Sequence, residues 1–152
     1  MRRNGFTMLE LMVVVVIIGV ITLIGFPKIK DALDKTNVRS ARVAAATYVA
    51  TARAAAIGRG CRGVVHFSGS PGTVWVTVCP RMTTAGSGTI DTIGVVDNLM
   101  SLYKVTMTET SDSVQFDPRG LRMVNTSTTV LFTTTSGGRD SILINQLGKV
   151  VR

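Results

Sequence analysis

With 152 residues, the chain has room for one small domain and one additional segment, which excludes a multidomain machine. Its formal net charge of +8 points to an anionic partner or simply to solubility, because charge speaks to association and not to identity. Two cysteines and a single histidine, with no Cys-x-x-Cys spacing, argue against a metal module.

The N-terminus dominates the reading. From Phe6 to Phe26 there are 21 residues, and Glu10 is the only charged one. A helix rising about 1.5 Å per residue needs about 20 apolar residues to cross about 30 Å of hydrocarbon, so this stretch is long enough to span a membrane. Arg2 and Arg3 precede it, and the positive-inside bias puts them in the cytoplasm and the rest of the chain outside. A secretory signal peptide would follow the apolar run with an Ala-x-Ala-like site, whereas here Gly25-Phe-Pro-Lys-Ile-Lys30 follows. Glu10 is the anomaly. A carboxylate inside an apolar span is costly and by default marks a functional position.

Gly5-Phe-Thr-Met-Leu-Glu10, with its short basic leader and the apolar helix after it, resembles a type IV prepilin signal. The resemblance implies a leader at 1–5, a transmembrane and assembly helix at 6–27, an amphipathic continuation at 28–60 and a β-rich head at 61–152. It further implies that a prepilin peptidase cuts after Gly5 and methylates Phe6. Glu10 is then expected to pair with a neighbouring subunit's terminal ammonium, which gives a buried charge its partner. Loss of Arg2 and Arg3 would lower the net charge from +8 to +6. Pro27 falls where pilin helices commonly carry a proline that kinks or locally melts the helix, as its missing N–H and its ring would do.

Lys28 to Lys35 is polar and helix-compatible, where the anchor leaves the bilayer. Between Thr36 and Ile57, Val38, Ala41, Ala45, Tyr48/Val49, Ala52 and Ala56 recur at steps of three and four, a narrow apolar stripe on a helix. Its alanines let the helix lie close to a sheet. Arg39, Arg42 and Arg53 fall on another stripe, and Gly58 and Gly60 end the helix.

Cys61–Phe67 and Thr73–Cys79 are β-rich runs flanking the turn cluster Ser68-Gly-Ser-Pro-Gly72. A hairpin folded about Ser70 pairs residues whose numbers sum to 140, which sets Cys61 opposite Cys79, near disulfide range. An oxidising compartment would close that bridge, and two buried free thiols are the competing reading. Met82–Asn98 reads as a loop entering a weak strand. Further strands are expected at Leu99–Met107, Ser113–Phe116, Thr129–Thr134, Ser141–Asn145 and Lys149–Val151, with turns at Asp117–Gly120 and Ser136–Asp140. The fold class is therefore α+β, a long N-terminal helix packed on an antiparallel sheet.

The helix and hairpin, then Val114-Gln-Phe-Asp-Pro-Arg-Gly120 and the closing segment Gly138–Arg152, resemble the minor pilins and pseudopilins grouped as FimT and GspH. The group ends in a Gly-Arg-x-Arg-like element. Here Gly148-Lys-Val-Val-Arg152 has lysine for the first arginine and one extra residue before the second. The resemblance implies a minor filament subunit in the inner membrane whose partners are other pilins, the prepilin peptidase and, on the FimT side, DNA taken up in transformation. Arg139, Lys149 and Arg152, with Arg119 and Arg122, would contact phosphates without reading sequence. The alternative is a type II secretion pseudopilin with an assembly role alone. Trp75, Tyr48 and Tyr103 read more readily as core than as base-stacking platforms. His66 has no evident nucleophile beside it, and no paired carboxylates or phosphate loop stand out, so neither catalysis nor a cofactor is expected.

Overall fold

The computed structural model describes residues 6–79 and 90–151. Helix α1 runs from Met8 to Arg59. Thr7 caps its start, its hydroxyl accepting from the Glu10 N–H at 3.2 Å, one of the donors a helix leaves open. Gly60, at φ 64°, closes its end in the left-handed conformation that glycine adopts without a Cβ clash. Pro27 removes the bond to the Leu23 carbonyl, yet the helix continues through it, so the local melting expected there is not seen.

The predicted stripe is the stripe observed. Val38, Ala41, Ala45, Val49, Ala52 and Ala56 are the helix residues that are buried. Among the described residues none before Val38 is buried, so the core of the head draws nothing from the first half of the helix. Small residues set the helix–sheet distance. A Cβ at Gly63 would fall 3.0 Å from the Ala56 Cβ and would collide with the Ala52 carbonyl.

The head carries β1 (Gly63–Ser68), β2 (Thr73–Val78), β3 (Asp91–Asn98), helix α2 (Leu99–Tyr103), β4 (Thr106–Glu109), β5 (Ser113–Phe116), β6 (Thr128–Thr133), β7 (Arg139–Ile144) and β8 (Val150–Val151). All pairings are antiparallel. The strands form two four-stranded sheets, ordered β3-β2-β1-β5 and β4-β6-β7-β8, where the sequence reading expected one. The division arises because β5 returns to β1, while β4 pairs forward to β6. Both sheets pack on the same stripe of α1. Strict alternation puts Val65, Phe67, Val74, Val76, Val114, Phe116, Val130, Phe132, Ile142 and Ile144 into one shared core.

Three local readings are corrected. Leu99–Met107 is not one strand. The Asn98 side chain accepts from the Ser101 N–H at 2.9 Å and caps α2, and Lys104 at φ 54° ends it before β4. The hairpin register is also one residue different: Ser68 pairs with Thr73, so paired numbers sum to 141 across a four-residue loop. Trp75 is not core. It lies on the outer face, stacked on His66 with ring centroids 4.9 Å apart. Residues 80–89, which include the start of the loop expected at Met82–Asn98, lie outside the described residues.

Candidate functional site

Two regions carry the chemistry anticipated from the sequence: the N-terminal half of α1 and the cations of the head. In the first, side chains from Phe6 to Leu33 stand out on every face of the helix, with Phe6 77% and Leu23 82% exposed. Apolar exposure on this scale calls for a membrane or a protein partner. Glu10 sits in the first turn, where the positive end of the helix dipole favours a carboxylate. Gly5, the expected cleavage site, lies outside the described residues.

The cysteines form the Cys61–Cys79 disulfide, with Cα atoms 6.1 Å apart. With the corrected register the bridge is diagonal. Cys79 donates its N–H to the Arg62 carbonyl at 3.3 Å, so Cys61 stands one residue beyond the pair. His66 on the outer face meets the Thr77 hydroxyl at 2.8 Å, and burial holds its imidazole below the ordinary range. Among the described residues, no group of three His, Cys, Asp or Glu side chains is placed to hold a metal.

Of the five cations expected to act together, the four among the described residues are not brought to one place. Arg139 opens β7 at the end nearest the exposed apolar half of α1, beside the turn that contacts Asp34 and Val38. Lys149 lies at the other end of that strand, in the turn closed by the Asn145 N–H donating to the Lys149 carbonyl at 3.0 Å. Six residues of strand, about 20 Å, separate the two ends. Arg119 shares the far end with Lys149. Its turn packs by Gly120 against Ile57 and Arg53, and Gly148 packs on the Phe116 ring that immediately precedes it. Arg119 is 81% exposed and reaches Asp117 at 3.1 Å. Asp117 also accepts from the backbone N–H groups of Leu121 and Arg119, and the Leu121 bond is the main reason its carboxyl stays below the usual range.

Arg122 is a different case. Its guanidinium turns inward, donating to the Ile144 carbonyl at 3.0 Å and to the buried Thr128 hydroxyl at 2.5 Å. Burial lowers its pKa. It stitches the loop after β5 to the β6–β7 pair, and it drops out of the set that could meet a phosphate. Arg152 lies outside the described residues.

The sequence reading missed the cation cluster at the near end. Lys35 and Arg39 of α1 and Arg139 of β7 line a cleft of about 290 Å³, together with Val38, Gly138 and Asp140. The helical spacing of Lys35 and Arg39 was visible in the sequence; their meeting with Arg139 depends on how β7 docks.

Comparison with known proteins agrees with this architecture. Residues 1–26 match the prokaryotic N-terminal methylation motif. The fold is similar to that of the Pseudomonas aeruginosa type IV minor pilin FimU. One crystal form gives a TM-score of 0.57 at 15% identity, covering 76% of this chain and 87% of that one. A second form gives 0.55 at 15% identity, covering 74% and 90%. Among curated protein sequences none matches significantly. The chain therefore carries the N-terminal methylation motif of prokaryotic prepilins at the head of its long helix, in a fold similar to that of a type IV minor pilin.

Proposed function

We propose that the chain is a minor subunit of a type IV filament system. The prepilin peptidase cleaves it after Gly5 and methylates Phe6, and residues 6–27 hold it in the inner membrane until it is assembled. The reading is carried by one observation: the methylation motif at residues 1–26 takes in the start of a half-helix whose apolar side chains are exposed. Such a surface is stable in a bilayer or among other helices of its kind, and assembly exchanges one setting for the other. Glu10 is the group that makes the exchange specific, since its charge requires a cationic partner away from the headgroups. Glu10→Ala should leave the subunit in the membrane fraction and remove it from sheared filaments. Filaments that incorporate the variant at the normal level would contradict the role of Glu10. A strain that makes normal pili without this protein but fails to secrete its type II substrates would reassign it to a secretion pseudopilus.

A second function, DNA capture, is favoured by the exposed cations at the far end of the head. Lys149 and Arg119 project there beside Arg53, where the end of a filament would present them. Each phosphate neutralised on duplex DNA adds about 0.9 to the slope of log affinity against log salt. Removing Lys149 and Arg119 together should therefore lower that slope by about two, measured by fluorescence anisotropy on the soluble head. Equal binding and an equal slope in the double variant would exclude this end as the contact surface.

A further inference from the structure

Strand β8 stops after two residues and leaves most of β7 with an open edge. The pairing between the two covers Leu143 and Ile144 alone. Asn145 donates its N–H to the Lys149 carbonyl, and along an antiparallel ladder every second residue turns its peptide groups the same way. Leu143, Ser141 and Arg139 therefore face the β8 side. β8 meets Leu143, and among the described residues no strand meets Ser141 or Arg139. The Ser141 N–H is taken by the Asp140 carboxylate at 2.9 Å. The Ser141 carbonyl and the Arg139 peptide groups are open to a further strand.

A groove runs beside that edge. Lys35, Arg39, Arg42, Ala46 and Ala50 follow one another at helical steps of three and four, so they share one flank of α1, and that flank faces β7 and β8. The far part of the groove is a cleft of about 460 Å³, with Val43, Ala46 and Ala50 on one side and Ile142, Val150 and Val151 on the other. The near part is the cleft of Lys35, Arg39 and Arg139. Between the two stands the pair of Arg42 and Asp140, with Arg42 Nε 3.0 Å from Asp140 Oδ2. The Nε–H does not point at that oxygen, so a buried guanidinium nitrogen is left without a hydrogen bond. From Gly138 to Ile144 the groove follows about 20 Å of strand.

Each of these properties selects the same occupant. Peptide groups left open at strand spacing on a sheet edge are matched by another extended backbone. In a strand laid there, alternate side chains turn in toward α1, where the alanines leave room for apolar residues. Toward its near end the groove carries Lys35, Arg39, Arg42 and Arg139 against the single carboxylate of Asp140, so acids of the occupant belong at that end. We propose that the open edge of β7 takes an extended strand from a neighbouring, different subunit of the filament. That strand is apolar at alternate positions where it passes Ala46 and Ala50, and acidic where it passes Arg42 and Arg139. It lies in line with β8, extends the β4-β6-β7-β8 sheet and fastens one head to the next. The proposal rests on the reading of the chain as a filament subunit.

Photocross-linking in assembled filaments tests it, with p-benzoylphenylalanine in place of Val43, which is 53% exposed at the rim of the groove. Mass spectrometry of the joined peptides should find a non-helical segment of a different subunit, with alternating apolar residues and an acid. Ala46→Trp fills the groove and should lower the yield about tenfold, the loss of one well-packed contact. Ala50→Trp, at an exposed helix position, should do the same and gives a reading should Ala46→Trp not fold. Leu102→Trp, on the exposed side of α2 and outside the groove, should leave the yield unchanged. Arg39→Glu with Arg139→Glu should lower it about tenfold by setting like charges against each other. The Arg139 amide should exchange its hydrogen about tenfold more slowly in filaments than in the unassembled chain, because a partner carbonyl accepts it. Equal yield in the groove-filling variants would overturn the proposal, as would equal amide exchange, or a cross-link to a neighbour's N-terminal helix, to phospholipid or to nothing. Equal yield after charge reversal would overturn the acidic end of the strand. Absence of the wild type from filaments would remove the filament reading itself, whereas incorporation without a strand cross-link would overturn the groove only.

Discussion

Arg122 separates a structural account of the basic residues from a ligand-binding one. Arg122→Ala removes two charge-assisted bonds, to the Ile144 carbonyl and to the fully buried Thr128 hydroxyl. Hydrogen bonds to charged groups contribute about 1.5–3 kcal/mol each, so the gross loss is about 3–6 kcal/mol. Against it stands the Arg122 Nε, buried without a partner, whose desolvation costs about 1–3 kcal/mol and is recovered on truncation. The net expectation is about 2–3 kcal/mol. The soluble head, residues 33–152, is a suitable vehicle because its buried core begins at Val38. Urea unfolding should show a lower midpoint at unchanged slope, with Tm lower by about 8–12 °C. Arg122→Lys keeps the charge but loses the planar fork and should be destabilised nearly as much. If both variants unfold like the wild type and only DNA binding falls, Arg122 is a ligand-contacting surface residue and the inward placement is wrong.

Other changes reach different parts of the structure. The Cys61–Cys79 bridge closes a loop at a sequence separation of 18, and on a chain-entropy estimate Cys61→Ser with Cys79→Ser should cost the head about 3 kcal/mol; a midpoint equal to that of the oxidised wild type would show that the bridge does not form. Gly63→Ala puts a methyl against the Ala52 carbonyl and the Ala56 Cβ, so a loss of about 1–3 kcal/mol is expected in the same melts, and a neutral result would mean that α1 and β1 are further apart than described. The Tyr48 phenol is held neutral by burial and by its bond to Asp97 at 2.5 Å, which push its pKa up to about 12. Because the folded value is the raised one, this contribution is complete below about pH 10 and is lost as pH rises toward about 12; spectrophotometric titration should find one tyrosine ionising late, and Tyr48→Phe should abolish that step.

Much of the helix was legible in the sequence because its alanines fall on one side at steps of three and four, and that pattern survives whatever sheet meets it. β1, β2 and β5 were legible for the same reason, since strict alternation between turn residues leaves one assignment. Leu99–Met107 misled because a five-residue helix shows too little periodicity to compete with its β-branched neighbours, and only the Asn98 cap signals it. The hairpin register turned on whether the turn held an odd or an even number of residues, which composition leaves open. The division into two sheets depends on β5 pairing with β1 and not with its neighbour β4, a non-local choice. Arg122 and Arg139 looked alike, as cations beside or within turns. One is buried by the packing of the loop after β5 and the other exposed by the docking of β7, and neither outcome is written near the residue itself.

Processing of the N-terminus tests the filament-subunit role most directly. Intact-mass analysis of the protein purified from membranes that contain a prepilin peptidase should show loss of Met1–Gly5 and one added methyl group, placed on Phe6 by fragmentation. A chain that keeps Met1–Gly5 in the presence of active peptidase, or one cut elsewhere, would contradict the filament-subunit reading.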